Sequence, residues 1–205
     1  MEAIELITKG LEKYSVHTPH PKYFGLFNPR SNFAGILADI ITASYNPQLA
    51  AWSHAPYAVE IEAKIIQDFC EKFGYQKGSS DGVFTTGGAE ANLTALLAAL
   101  NHQYPAFAEN GLFGIRKKPI IFCSKEAHHS VQKSAKIVGL GYSAVKTIST
   151  LPNLKMNPFA LEESIKNSLT NGEAPLLVIA TAGTTGTGTI DDLEAINAIL
   201  SLIHI

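Results

Sequence analysis

The chain has 205 residues, with 16 Lys+Arg against 18 Asp+Glu and a formal net charge of −2; 46% of it is hydrophobic and 17% charged. That length and apolar share suit one globular domain or a large piece of a bigger one, and they exclude a disordered chain. The near-neutral balance leaves no electrostatic footprint for nucleic acid or an anionic membrane, and no run is apolar for long enough to span a bilayer. The opening MEAIELITKGLEKYS lacks the basic-then-apolar order of a signal peptide. Cys70 and Cys123 stand alone, without metal-ligand spacing. No metal is expected, and a reducing, cytoplasmic setting is the simplest reading.

Residues 1–14 predict a short amphipathic helix, and Pro19, Pro21 and Pro29 then break any regular element. Asn32 can cap the apolar helix FAGILADIITASY, which Pro47 ends. A longer helix starts near Pro56, where Val59, Ala63, Ile66, Phe69, Cys70 and Phe73 recur at helical spacing until Gly74. These elements make an N-terminal helical segment, 1–78.

From residue 81 the rhythm changes to short apolar runs alternating with helices. Gly82–Thr86 reads as a strand and Ala89–Leu100 as a helix. KPIIFCS is a strand, HHSVQKSAKIVG a helix closed by Gly139, and SAVKTIS a strand. Asn157 caps a helix to Ser168 with Pro158 in its first turn, PLLVIATAG is a buried strand, and Asp191 opens a last helix. Strand and helix in alternation predict an α/β fold with a mostly parallel sheet covered on both faces. Residues 79–205 form that second part.

Three motifs carry chemistry. In GVFTTGGAEANLTALLAAL (82–100) two glycines precede a helix, so backbone N–H groups of Gly88, Ala89 and their neighbours are free to meet an anion on the dipole's positive end. The alternative is a turn whose glycines only relieve crowding. In SKEAHHSVQKSAK (124–136) His128 follows a strand's carboxyl end, where open α/β sheets bind ligands. Its imidazole can stack on a flat ring or move protons, or it can cap the following helix and nothing more. In VIATAGTTGTGTIDDLEAI (178–196) the hydroxyls of Thr184 and Thr185 stand at the same sheet edge, to bind a cofactor oxygen or to satisfy the loop. Asp191, directly before LEAINAIL, reads as a helix cap rather than a catalytic group. A phosphate cradle, an imidazole and hydroxyl donors at one sheet edge make a pocket for a flat phosphorylated heterocycle.

TTGGAEANLTAL, SKEAHHSVQKSAK and ATAGTTGTGTIDDL resemble, in order and spacing, the motifs of the group II pyridoxal-phosphate-dependent decarboxylases, which include the glutamate and aromatic amino acid decarboxylases. The resemblance extends through HPKYFGLF, AGILADIITASYN and WSHAPYAVEIE, nearly the whole chain. It implies the aspartate aminotransferase-like fold (fold type I), pyridoxal 5'-phosphate as cofactor, an amino acid substrate and a homodimer with sites at the subunit interface. Carried over by position, Gly87, Gly88 and Ala89 hold the cofactor phosphate. His128 is the catalytic residue that stacks on the pyridine ring, and Thr185 lies beside the ring's oxygen substituent. Leu26, Phe27 and Asn28 face the substrate, and Gln48–Trp52 reaches the neighbouring subunit's site. Asp191 matches a position that supports the fold.

The family's chemistry also needs a Schiff-base lysine and a carboxylate on the pyridine nitrogen. In the family both follow the threonine loop, whereas the last lysine here is Lys166. The sequence therefore reads as the N-terminal portion of a decarboxylase, inactive by itself. A carbon–carbon lyase of the sphingosine-phosphate type and a non-catalytic remnant are the alternatives.

Overall fold

The computed structural model describes residues 1–25 and 30–202. The chain divides into two compact units between Val83 and Phe84.

In the first unit, α1 spans Glu2–Tyr14, α2 Phe33–Tyr45 and α3 Pro56–Lys72. The Asn32 side chain accepts the Gly35 N–H at 2.7 Å, the expected N-cap. Helix α2 stops where Asn46 turns left-handed (φ 41°, ψ 57°), immediately before Pro47. Pro56 enters α3 in its first turn, where its missing N–H costs nothing. At the far end the Gln67 amide donates to the Ser80 carbonyl at 2.7 Å, which ties the return loop to α3. Helices α1 and α2 contribute no buried residue, although Ile4, Ile7, Leu11, Ile36, Ile40 and Ile41 are large and apolar.

The second unit holds α4 (Gly88–Gln103), α5 (Phe107–Asn110), β1 (Pro119–Ser124), α6 (Ser130–Ile137), β2 (Val145–Ile148), α7 (Pro158–Thr170), β3 (Ala174–Ile179) and α8 (Leu193–Leu202). The strands form a parallel sheet in the order β2-β1-β3. Ile121 pairs with Val145 on one side of β1 and with Leu177 on the other. The chain passes from β1 through α6 to β2, then through α7 to β3 on the far side of β1. Right-handed crossovers in opposite directions put α6 and α7 on opposite faces.

The two-residue period of β1 divides the core accordingly. Ile120 and Phe122 pack with Ile148, Met156, Leu161, Ile165, Ile196 and Ile199 beneath α7 and α8. Ile121 and Cys123 pack with Leu96, Leu100, Val131, Ala135 and Val145 beneath α4 and α6. Phe122 and Leu100 are fully buried, and burial of such side chains stabilises by roughly 1.5–3 kcal/mol each. Burial also pushes the Cys123 thiol up to about 11. Among the described residues no helix is long and apolar enough to cross a membrane.

Three sequence expectations need correction. Residues 82–86 are not a strand: they belong to no ladder among the described residues, and the N–H groups of Gly82 and Thr86 bond to the Asp81 and Glu90 side chains instead. Strand β3 ends at Ile179, because the small residues of ATAG enter a loop closed by the Ala182–Ile190 bridge. Asp191 is not the helix cap. Asp192 accepts the Ala195 N–H at 3.0 Å and does that work. Asp191 is 2% exposed, with one carboxylate oxygen accepting the Met156 N–H at 2.7 Å and the other the Thr181 N–H at 2.8 Å. It binds the β2–α7 connection to the end of β3, a supporting role in the fold.

Candidate active site

The glycine turn is open. Gly87 is extended (φ 162°, ψ 171°) and α4 begins at the next residue. A Cβ added at Gly87 or Gly88 would meet nothing within 4 Å, so the space before the helix is free. Neighbouring side chains brace the turn without filling it. Thr85 donates its hydroxyl to the Gly87 carbonyl at 3.2 Å, while the Glu90 carboxylate accepts the Thr86 N–H at 2.8 Å and the Thr86 hydroxyl. Those two bonds hold the Glu90 carboxyl below its usual range and direct its charge back towards Thr86. The N–H groups of Gly88, Ala89 and Glu90 have no acceptor within their own helix, and the helix dipole makes their end positive.

His128 lies on the loop between β1 and α6, four residues past the carboxyl end of β1. Its Nδ1 stands 2.9 Å from the Ser130 hydroxyl and accepts the Ser130 N–H at 3.2 Å. Ser130, 2% exposed, also accepts the Asn92 side-chain amide of α4 at 2.8 Å. A continuous bonded path thus runs from the helix of the glycine turn to His128. The bond to the Ser130 N–H shows that His128 does satisfy a first-turn donor, as the capping alternative required. The ring itself remains exposed and tilts against that of His129, with centroids 4.0 Å apart.

The threonine loop separates its two candidates. Thr184 is buried (2% exposed); its hydroxyl bonds that of Thr187 at 2.7 Å and accepts the Thr189 N–H at 3.1 Å. It holds the loop closed. Thr185 is exposed, and its hydroxyl has no hydrogen-bond partner among the described residues. Because the sheet is parallel, this loop leaves β3 at the edge from which the His128 loop leaves β1. Leu26, Phe27 and Asn28 lie outside the described residues, and Trp52, in the first unit, donates its indole N–H to Glu60 at 2.8 Å.

Asn92 and Ser130 were missed by reading the sequence. The signal was Asn92 itself: it precedes Leu96 and Leu100 at four-residue spacing, a polar side chain on the buried stripe of α4. Such a group requires a partner.

The chain belongs to the pyridoxal-dependent decarboxylases: the model of the pyridoxal-dependent decarboxylase conserved domain matches residues 3–205. It is 33% identical to the acidic amino acid decarboxylase GADL1 of Bos taurus over 184 residues, 90% of this chain and 35% of that protein. It is 36% identical to the cysteine sulfinic acid decarboxylase of Homo sapiens over 190 residues, 92% of this chain and 38% of that one. The crystal structure of mouse CSAD in apo form superposes over 100% of this chain and 42% of its own, with a TM-score of 0.91 and 31% identity. The fold is therefore type I, carried in part, and the chain spans less than half the length of these relatives. Pyridoxal 5'-phosphate is the cofactor of the family. The residues here fit its phosphate, since an open turn without Cβ atoms leads into free helical N–H groups.

Proposed function

We propose that the chain is the cofactor-binding part of a pyridoxal phosphate-dependent amino acid decarboxylase, a carboxy-lyase. The observation that carries this reading is the open turn at Gly87 and Gly88, linked through Asn92 and Ser130 to the exposed ring of His128. The backbone at Gly87, Gly88 and Ala89 holds the phosphate, with about 1 kcal/mol from the helix dipole. His128 fixes the plane of the pyridine ring from one face, and the free hydroxyl of Thr185 donates to the ring's oxygen substituent. Bound pyridoxal phosphate supplies an electron sink for the pair left on the substrate's Cα as CO2 departs.

Leu26, Phe27 and Asn28 border the substrate. The names of the relatives at 33–36% identity favour an acidic amino acid. The parent enzyme is a cytoplasmic homodimer in this reading, and the second copy covers the apolar faces of α1 and α2. These 205 residues bind the cofactor without turning substrate over, because Lys166 is the last lysine and the Schiff-base group of the family follows the threonine loop.

Equilibrium dialysis against pyridoxal phosphate, with a Gly88→Asp variant, tests the assignment. The new side chain enters open space, and an aspartate in the first helical turn favours the dipole, so the variant keeps its fold. Its carboxylate takes the place of the phosphate. Saturable binding by the natural chain and roughly tenfold weaker binding by the variant are expected. Equal binding by both removes the glycine turn from the site.

A further inference from the structure

We infer that Asn92 and Ser130 are positioning residues that select a single tautomer of the neutral His128 imidazole, with Nδ1 accepting and Nε2 carrying the proton. The inference deepens the assignment of His128 as the ring-supporting residue and rests on it for its functional meaning. Its structural content is independent of any cofactor.

The geometry leaves little choice. A backbone N–H can only donate, and that of Ser130 is aimed at Nδ1 at 3.2 Å, so Nδ1 must offer a lone pair. The Ser130 hydroxyl lies 2.9 Å from the same nitrogen and carries one proton. Asn92 Nδ2 donates to that oxygen at 2.8 Å, which engages a lone pair and leaves the hydroxyl proton for His128. Two donors therefore converge on Nδ1. A proton placed there would face the Ser130 N–H, which cannot turn away, and would forfeit the hydroxyl's donation, so the neutral ring carries its proton on Nε2. The burial of Ser130 keeps water from competing, and a buried donor without an acceptor is costly. Three bonds define both the plane of the ring and the nitrogen it turns outward. An exposed side chain that must lie flat on a flat ligand needs this restraint, because a freely rotating imidazole would lose conformational entropy on binding.

The test reads the tautomer directly, without cofactor or substrate. The chain is labelled with 15N-histidine, and its imidazole nitrogens are recorded about two pH units above the ordinary imidazole pKa. His128→Gln identifies the resonances of His128, and exposed His102 on α4, whose ring bonds to none of the described residues, serves as internal reference. In the natural chain His128 is expected to have a larger Nε2–H to Nδ1–H ratio than His102. Ser130→Ala, which retains the amide but loses the hydroxyl, should lower that ratio roughly fivefold, the effect of one net hydrogen bond. Asn92→Leu should lower it in the same direction, and Ser130→Thr should restore it. A His128 ratio equal to that of His102 in the natural chain overturns the inference without any variant. So does a ratio that neither Ser130→Ala nor Asn92→Leu moves. Failure of the chain to bind pyridoxal phosphate would count against the proposed function while leaving these ratios intact.

Discussion

Asp191 shows how one side chain can serve two backbone segments. Each of its carboxylate oxygens accepts a single N–H, from Met156 and from Thr181, and the aspartate is almost fully buried. Removal leaves two donors without a partner, at about 1–3 kcal/mol for each group that stays buried. Asp191→Ala is therefore expected to lose roughly 2–6 kcal/mol in chemical denaturation, and Asp191→Asn, which keeps one acceptor oxygen, about half as much. A loss below about 0.5 kcal/mol for the alanine variant would show that the two segments do not depend on it. The sequence placed this residue at the entrance of the last helix and identified its supporting role through resemblance, but assigned it the work of Asp192. Adjacent aspartates before a helix look alike in sequence. Only the chain's return past Met156 distinguishes them. The threonines divide for the same reason, since nothing in TTGTGT indicates which hydroxyl turns into the loop.

At the level of elements, the edge strand β2 is fastened through Lys146, which donates to Ser168 Oγ of α7 at 2.8 Å and pairs with Glu173 just before β3. The hydrogen bond from Lys146 is the main cause that holds the Glu173 carboxyl below its ordinary range. A carboxylate depressed in the folded state contributes stability that is complete above its unfolded value and is lost as pH falls through its folded value. The pair is partly exposed, so that contribution is at most about 1 kcal/mol. Glu173→Gln is expected to be less stable than the natural chain by that amount at neutral pH. The difference should vanish in acid below the ordinary glutamate range of about 4.3, as denaturation curves at the two pH values would show. A difference unchanged in acid would mean that charge plays no part. Most elements were legible from local chemistry: Asn32 and Asn157 cap where expected, and both Pro56 and Pro158 enter a first turn. The segment 82–86 was not, because alternation records a strand's two faces but not where its backbone N–H groups bond, here at Gly82 and Thr86 to side chains.

For the whole molecule, the sequence revealed the order of the motifs and the parallel sheet that gathers two of them at one edge. It did not reveal how the glycine turn reaches His128, since that path depends on Asn92 and Ser130, 38 residues apart and brought together only when α4 and α6 pack on the same sheet face. The apolar faces of α1 and α2 were legible as helix, but their lack of burial within this chain was not. In the proposed function, helical N–H groups after Gly87 receive a phosphate while His128 meets the attached ring. Backbone amide and imidazole resonances recorded during a titration with pyridoxal phosphate test it most directly. Gly88, Ala89, Glu90 and the His128 ring are expected to shift together and saturate at one common concentration. Saturable binding that leaves those four signals in place would contradict it.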